Sequence, residues 1–384
     1  MRKWKKFGFA VSLASMLMLT ACGSGGSSAG NSGGASGSEI LIGVQTPTTG
    51  SEAKMGQDMN NAIQLAADEI NAKGGILGKK IKLVFADDAS DPQTATAAAN
   101  KLVSQGVAAV VGGYSSGAVL PASGVYHNAG IPMVVTAANS AKIPAQGYKE
   151  IFLINGTTVH QAEAAADYMT KKLGAKRIAL VHDNSAYAKD LAELTKKSVG
   201  QAGGQVVAFE AVNPDEKDFT TLLTKLKNAK PDATYWTAYY AAGGLLIKQF
   251  KQLGVPGAIG VGDGSNDKTL IDIAGKDAAE GTFVTTSPTA EFIPGAKAFL
   301  DAYKTKYHAD PGPYSALAYD GMRLLADAIT RANSTDKAAI VKALKETKGF
   351  KALEGDIAFK DDNTLEKSNF IVLVVKNGTF ALPQ

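Results

Sequence analysis

Two short runs of small and hydroxyl-bearing residues have the chemistry to bind a carboxylate. The first reads GGYSSG (112–117) and follows an apolar run, and the second reads TAANS (136–140) and follows the next one. Backbone amides at the start of a helix, together with nearby hydroxyls, form an anion site. Each run alone is also typical of ordinary turn and cap chemistry. Their occurrence after two neighbouring predicted strands favours a shared binding site.

The first run also allows an enzymatic interpretation. Gly113, Ser115 and Gly117 match G-x-S-x-G, the strand–turn–helix motif that presents the nucleophilic serine of a hydrolase. That fold needs an acid and then a histidine later in the chain. The last histidine, His308, lies at the end of a helical pattern with no strand before it. The sequence therefore favours an anion site, and a secreted serine hydrolase using Ser115 is the weaker alternative.

Aromatic and acidic residues follow the apolar runs in the second half of the chain. Tyr187, Tyr239 and Tyr240 lie at or just after the ends of two of these runs, and Asp263 stands between two glycines at the end of a third. Tyrosines in loops often only pack, and Asp between glycines is often a turn residue. Together they would supply apolar walls and one negative charge opposite the hydroxyl-rich loops. An anion site facing a carboxylate suits a zwitterion, which predicts an α-amino acid as ligand.

Apolar runs that alternate with helical patterns must position these loops. The predicted strands are 40–46, 81–87, 107–113 and 131–136, then, after a break near 155–158, 177–183, 205–211, 233–239 and 258–263. Apolar, non-alternating strands in repeated strand–helix units imply parallel sheets covered by helices. Two such series predict an α/β fold with two doubly wound, Rossmann-like lobes. Ligands of these sheets bind beyond the carboxyl ends of the strands.

Composition argues against nucleic-acid and metal binding. The net charge is +4, but residues 1–21 hold four basic residues and no acid, and removing these four from the 40 basic residues balances the 36 acidic ones. The folded part therefore has no surplus of positive charge for phosphate contacts. One cysteine excludes a thiolate zinc cluster, and the four scattered histidines have no ligand spacing. We expect neither a metal nor a cofactor.

The N-terminus has the plan of a secretory signal. MRKWKK precedes an apolar run of about a dozen residues, which is too short to span a membrane, and then LTAC (19–22). LTAC resembles the bacterial lipobox, which predicts a signal peptide over 1–21 and a lipid on Cys22; a chance cysteine behind an ordinary signal peptide is the alternative. Residues 22–38 then form a Gly/Ser tether. We expect a lipid-anchored protein on the extracytoplasmic face of a bacterial membrane.

Residues 39–376 resemble the leucine/isoleucine/valine-binding proteins, the substrate-binding components of branched-chain amino-acid ABC importers. The resemblance is carried by ADEINAKGGILGKKIKLVFADDASDPQTA (67–95), GGYSSGAVLPAS (112–123), IALVHDNSAYAKD (178–190) and EKDFTTLLTKLK (216–227). It implies two lobes joined by crossovers near 155–158, 285–287 and 350–354. Lobe 1 would comprise 39–156 plus 286–350, and lobe 2 would comprise 157–285 plus 351–384.

The resemblance also implies roles for single residues. Ser116 would bind the ligand carboxylate, and Ala138 and Ser140 would meet both ends of the amino acid. Asp263, an Asp where the branched-chain binders have Glu, would receive the ammonium, and the apolar walls would be Tyr187 and Tyr239.

Two positions of the expected side-chain pocket depart from the family pattern. Met55 stands where those binders place a tyrosine, and Tyr114 stands where they have a smaller apolar residue. Methionine is apolar and adaptable, so a hydrophobic pocket partly filled by Tyr114 is still expected.

The implied function is that of a monomeric binding lipoprotein, not an enzyme. It would capture an aliphatic, branched-chain amino acid by lobe closure and deliver it to the membrane permease of an ABC importer. The alternative within the same fold is a binder of urea, a short amide or an aromatic acid. Asp263 discriminates between them, because a ligand without an ammonium group has no use for this carboxylate.

Overall fold

The computed structural model describes residues 39–383. The expected signal peptide, Cys22 and the tether lie outside these residues. Among the described residues, no helix is both long enough and apolar enough for a membrane span.

The first half of the chain alternates between strands and helices as the sequence predicts. Its elements are β1 (Ile40–Thr46), α1 (Ala53–Ala72), β2 (Ile81–Asp87), α2 (Pro92–Ser104), β3 (Ala109–Gly112), α3 (Ser116–Asn128), β4 (Met133–Val135) and β5 (Ile151–Leu153). The five strands form one parallel sheet in the order β2-β1-β3-β4-β5. The start of α2 follows from local chemistry: the Asp91 carboxylate accepts hydrogen bonds from the amides of Gln93 and Thr94, and Pro92 takes the first helical position.

The next series builds a second sheet. Its elements are α4 (Thr158–Asp167), β6 (Arg177–His182), α5 (Ala186–Gln201), β7 (Gln205–Ala211), α6 (Thr220–Ala229), β8 (Ala233–Trp236), α7 (Tyr240–Gln252), β9 (Ala258–Val261), α8 (Lys268–Ala274), α9 (Lys276–Ala279) and β10 (Phe283–Thr286). The chain continues with α10 (Lys297–Tyr307), α11 (Ser315–Ala332), α12 (Lys337–Lys345), β11 (Lys348–Lys351), β12 (Asp356–Ala358), β13 (Ile371–Lys376) and β14 (Thr379–Ala381).

The second sheet has the order β14-β13-β10-β9-β8-β6-β7. Strands β6 to β10 pair in parallel, whereas β13 and β14 close one edge in antiparallel pairs. Two doubly wound sheets confirm the predicted α/β architecture, and the antiparallel edge is an addition to it.

Helices cover both faces of the first sheet. Helix α1 packs against α11, which returns to this lobe from the far end of the chain, and α2 packs against α3 on the opposite face. Strand β3 is buried along its whole length, as its unbroken apolar run predicts. Leu102 of α2 and Val110 of β3 are fully buried in the same cluster, and each such side chain contributes about 1.5–3 kcal/mol by burial.

Three connections join the two sheets, and the third lies later than the sequence predicts. The first runs from β5 to α4 and the second leaves β10. The third was expected near 350–354, but Phe359 packs on Phe152 with ring centroids 5.1 Å apart, and the Asn363 carbonyl accepts a hydrogen bond of 3.0 Å from the Leu153 amide. The chain therefore stays with the first sheet to about residue 365 and crosses at 366–370, so the expected boundary at 350–351 is wrong.

The hairpin β11–β12 explains this error. Its first strand reads KGFK, and three of its four residues are exposed. Such a strand has neither the apolar run nor the regular alternation that marks a strand in sequence.

Candidate functional site

The carboxyl ends of strands from both sheets meet around one small cavity. It is lined by Tyr114, Ser116, Ala137, Ala138, Asn139, Tyr187, Tyr239, Asp263, Gly264 and Tyr314. Six of the eight ligand-binding residues expected from the sequence are in this set. The cavity volume is about 10 Å³, which is about the space that one water molecule needs. The lobes are therefore closed on each other, and an amino acid can enter only after they separate.

The first wall of the cavity is the start of α3. Gly112 has a φ of +127°, and a Cβ at this position would lie 2.4 Å from the Gln45 carbonyl oxygen, so only glycine fits this turn. The turn places Ser115 as the N-cap and Ser116 as the first residue of the helix. The first amides of a helix lack intrahelical partners and attract anions. This arrangement can receive a carboxylate.

The loop after β4 forms the adjoining wall. The Ala138 amide donates to the Gly113 carbonyl at 3.0 Å. The amide that was expected to contact a ligand is therefore already used within the protein. The Asn155 side chain holds the preceding carbonyl, that of Ala137, at 2.7 Å. Within residues 39–383 the Ala138 carbonyl accepts no hydrogen bond. An unused acceptor in this position suits a cationic donor such as an ammonium group.

Two of the expected site residues lie elsewhere. The Ser140 hydroxyl donates to the Asp190 carboxylate at 2.7 Å, and the Ser140 amide donates to Ser116 Oγ at 3.2 Å, so both of its donors are used within the protein. Met55 is 1% exposed and packs in the core on the inner face of α1. Neither residue lines the cavity. The sequence could not exclude them. The partner of Ser140 is 50 residues away, and the face of α1 on which Met55 lies depends on the residue at which the helix begins.

Asp263 supplies the negative charge of the cavity. It follows β9, and its side chain is buried. Its Oδ1 accepts hydrogen bonds from the Tyr187 hydroxyl at 2.6 Å and from Gln161 Nε2 at 3.1 Å, and its Oδ2 accepts one from Asn139 Nδ2 at 3.1 Å. Burial raises the pKa of Asp263 to about 6, although the hydrogen bonds from Tyr187 and Gln161 oppose the shift. A Cβ on Gly262 would lie 2.4 Å from the Tyr187 hydroxyl, so glycine is needed there.

Four tyrosines close the rest of the cavity. The ring of Tyr239 lies 5.9 Å from that of Tyr114 and 5.7 Å from that of Tyr187, and Tyr314 meets Tyr114 edge to face at 5.6 Å. The Tyr239 hydroxyl lies 3.3 Å from Ser115 Oγ. Among the described residues, no histidine or carboxylate is hydrogen-bonded to Ser115. A hydrolytic triad is therefore not assembled around this serine.

A buried carboxyl group supports one of these rings from behind. The Tyr114 hydroxyl donates to Glu52 Oε2 at 3.0 Å, and both side chains are buried. Burial raises the pKa of Glu52 to about 7. The pair fixes Tyr114 across the part of the cavity where the sequence predicts the ligand side chain.

Residues 39–379 match the sequence model of the periplasmic binding proteins. The chain belongs to this family. It is 36% identical over 333 residues to the Leu/Ile/Val-binding protein BraC3 of Rhizobium johnstonii, and this alignment covers 86% of the chain and 90% of BraC3.

Two solved structures of family members support the two-lobe fold. The leucine-binding protein LivK of Thermotoga maritima is 32% identical with a TM-score of 0.85, and the match covers 90% of this chain and 98% of LivK. The branched-chain amino acid transporter substrate-binding protein LivJ of Streptococcus pneumoniae, in complex with isoleucine, is 32% identical with a TM-score of 0.83 over 89% of this chain and 98% of LivJ.

In this periplasmic binding protein, Asp190 of α5 ties the two lobes together beside the cavity. Its Oδ2 accepts hydrogen bonds from the Ser140 hydroxyl at 2.7 Å, the Ala141 amide at 2.9 Å and the Thr158 hydroxyl at 2.7 Å. Ser140 and Ala141 lie in the connection between β4 and β5 of the first sheet, whereas α5 covers the second. Asp190 therefore links the loop that carries Ala138 to the opposite lobe in the closed form.

The supporting residues had weak signals in the sequence. Asn139 lies inside the TAANS run and could have been chosen with its neighbours. Gln161, Glu52 and Tyr314 come from the interior of α4, the start of α1 and the turn before α11. Only the packing of the elements brings these three to the cavity.

Proposed function

We propose that the protein is an extracytoplasmic solute-binding component of an ABC importer that binds a branched-chain amino acid between its lobes. The observation that carries this proposal is the buried Asp263 carboxylate in the same cavity as the start of α3. An α-amino acid presents a carboxylate and an ammonium group to such a pair of sites. The names of BraC3, LivK and LivJ support the same ligand class.

The head group would bind at both walls of the cavity. Its carboxylate would accept hydrogen bonds at the start of α3, around Ser116. Its ammonium would donate to the Ala138 carbonyl and to Asp263 Oδ2, where it would join or replace the Asn139 amide. Charge-assisted hydrogen bonds are about twice as strong as neutral ones, which favours this exchange. The aliphatic side chain would pack against the tyrosine rings.

Lobe closure follows from where these groups lie. Ser116 and Ala138 belong to the first lobe, so a ligand can dock there while the cleft is open. Asp263, Tyr187 and Tyr239 belong to the second lobe and reach the ligand only on closure. The ligand therefore favours the closed state by the strength of these added contacts. A membrane permease can then recognise the loaded protein by the arrangement of its two lobe surfaces.

Asp263 also separates the alternatives. Urea, a short amide or an aromatic acid would leave this buried carboxylate without a cation, and burying an unpaired charge is costly. A binder of such ligands has no use for an acid at this position. The Ser115 environment likewise favours binding over hydrolysis, because its hydroxyl contacts a tyrosine instead of a general base.

The ligand class is tested by thermal unfolding of the protein with each of the twenty amino acids. We expect leucine, isoleucine or valine to raise the unfolding temperature most, since a ligand at 100 times its dissociation constant adds about 2.7 kcal/mol of stability. Urea, acetamide and benzoate serve as comparison ligands. Stabilisation by one of these three, with none by an amino acid, would contradict the proposal.

We also propose that Cys22 anchors the protein to the membrane by a lipid. The support is the LTAC sequence at 19–22 and the Gly/Ser-rich run behind it. Cys22→Ser should move the protein from the membrane fraction to the soluble fraction and leave ligand binding intact. Ser24→Ala is the matched control and should remain with the membrane. An unchanged distribution of Cys22→Ser between the two fractions would disprove the anchor.

A further inference from the structure

Glu52 occupies the N-cap position of α1 but does not cap this helix. A polar side chain at an N-cap commonly accepts hydrogen bonds from the first amides of the helix. The Glu52 side chain makes no such bond, and its Oε2 instead accepts the hydrogen bond from the Tyr114 hydroxyl, 62 residues away, at 3.0 Å. Tyr114 lines the small cavity between the lobes, whereas Glu52 does not. Glu52 therefore acts on a ligand through the position of the Tyr114 ring.

Both residues are held firmly within the first lobe. A Cβ on Gly56, in the first turn of α1, would lie 1.5 Å from the Pro47 carbonyl oxygen, so the start of this helix packs directly against the preceding loop. The Tyr114 ring packs edge to face on Tyr314, which belongs to the same lobe, with ring centroids 5.6 Å apart. A displaced Tyr114 ring would leave the buried Glu52 carboxyl group without this donor, which is costly. Tyr114 is therefore a fixed wall of the cavity in the open and the closed form.

The tyrosines of the second lobe have little room to retreat. A Cβ on Gly264 would lie 3.0 Å from Tyr239 Cδ1 and 3.1 Å from Tyr187 Cε1, so both rings pack closely on this glycine. The Tyr187 hydroxyl also donates to Asp263 at 2.6 Å. Because the closed cavity measures only about 10 Å³, room for a ligand side chain comes from the distance between the lobes. The lobes must close less far around a larger side chain.

Incomplete closure has a cost on the Glu52 side of the cleft. The hydroxyl of Tyr240, the first residue of α7 in the second lobe, donates to the Ser51 carbonyl at 2.5 Å, and Ser51 directly precedes Glu52. The Tyr239 hydroxyl lies 3.3 Å from Ser115 Oγ, which is another contact between the lobes. A side chain that holds the lobes apart weakens both contacts. Affinity therefore falls as the side chain grows beyond the space that the fixed Tyr114 ring leaves.

We propose that Glu52 determines ligand size: by holding Tyr114 in place, it makes the cavity prefer valine over leucine and phenylalanine. This inference rests on the proposed function, because it needs an amino-acid head group bound at Ser116 and Asp263. With the head group bound there, the ligand side chain points at the tyrosine rings. One methylene in a tight pocket changes affinity by about tenfold or more, so valine should bind about tenfold more tightly than leucine. Glu52 is a positioning residue, because it does not touch the ligand.

The experiment is a calorimetric titration of the full chain with valine, leucine and phenylalanine, and its readout is the ratio of the leucine and valine dissociation constants. Glu52→Ala removes the acceptor and leaves space behind the ring, so Tyr114 can move aside for leucine. The ratio should then fall by about tenfold, to near one. Tyr114→Phe removes the donor of the same hydrogen bond and should lower the ratio likewise. Glu52→Gln still offers an acceptor to Tyr114 and should restore most of the ratio.

The same helix offers a matched control. Glu69 of α1 accepts a hydrogen bond of 2.6 Å from the Tyr319 hydroxyl, and neither residue lines the cavity. Glu69→Ala therefore removes an equivalent pair without freeing a ring of the binding site, and it should keep the wild-type ratio. A purely structural role of Glu52 would lower the affinities for all three ligands by one factor and leave their ratio unchanged.

Several results would overturn the proposal. Leucine binding as tightly as valine in the wild type would contradict the size limit. A ratio that stays within about threefold of wild type in Glu52→Ala and Tyr114→Phe, or that falls equally in Glu69→Ala, would contradict the role of Glu52. If Glu52→Ala does not fold, Tyr114→Phe, which lacks a single hydroxyl, decides the outcome. Failure of the wild type to bind any of the three amino acids would instead contradict the proposed function, so the two failures are distinguishable.

Discussion

Asp263→Ala is expected to weaken amino-acid binding by about a hundredfold or more while the protein stays folded. The closed cavity has room for about one water molecule, and Asp263 is the acidic residue among those that line it. Removing one partner of a buried ion pair costs about 3–5 kcal/mol, and each 1.4 kcal/mol is about a factor of ten in affinity. Tyr187 and Gln161 would lose an acceptor in the same change with or without ligand, so this cost falls on the stability of the protein and not on its affinity.

Isothermal titration with the preferred amino acid measures this effect. Asp263→Asn separates charge from shape, and Asp267→Asn is the matched control, because Asp267 caps α8 four residues later and does not line the cavity. We expect the first variant to bind weakly and the second to bind as the wild type does. A dissociation constant for Asp263→Ala within about threefold of wild type, or about 0.65 kcal/mol, would show that the ammonium binds elsewhere.

The wild type allows the same test through its pH dependence. The folded pKa of Asp263 is raised to about 6, so this carboxyl group gains a proton as the pH falls through 6. An ammonium ligand needs the ionised form. Affinity should therefore be constant well above pH 6 and fall by about tenfold per pH unit below it. The Asp263→Asn variant should lack this dependence.

The fold was predictable because strands that are buried on both faces of a sheet have continuous apolar sequences. The runs VAAVVGG (107–113) and RIALVHD (177–183) contain β3 and β6, and every residue of these two strands except Arg177 is buried. The hairpin β11–β12 and the true third connection were not predictable in this way. Their positions depend on Phe359 packing on Phe152 and on the hydrogen bond between Leu153 and Asn363, which are contacts between distant parts of the chain.

The site was predictable where it depends on loop position, and not where it depends on side-chain partners. Strand ends select Ser116, Ala138, Tyr239 and Asp263, because parallel strands bring their carboxyl ends to one edge. Ser140 lies in the same loop as Ala138, but its hydroxyl donates a hydrogen bond to the Asp190 carboxylate and does not reach the ligand site. Such competition between a ligand and an internal acceptor is decided by the packing of α5, which leaves no pattern in the loop sequence.

Asp190→Ala is expected to weaken binding of every amino-acid ligand by about a hundredfold or more. In the closed form this carboxylate accepts hydrogen bonds from Ser140 and Ala141 across the two lobes. Hydrogen bonds to charged groups contribute about 1.5–3 kcal/mol each, and these two join parts that separate when the cleft opens. Their loss destabilises the closed state alone, so the free-energy cost is the same whichever ligand the cleft holds.

Calorimetry with several ligands and small-angle scattering check this prediction together. Leucine should lower the radius of gyration of the wild type, and Asp190→Ala should need more leucine for the same change. Glu193→Ala is the matched control, because Glu193 is an exposed acid on the same helix. Asp263 variants should have a lower affinity only for ligands that carry an ammonium group. Asp190→Ala should lower the affinity for every ligand by the same factor. A loss confined to one ligand, or leucine saturation at wild-type concentrations, would mean that Asp190 supports the binding loop without stabilising lobe closure.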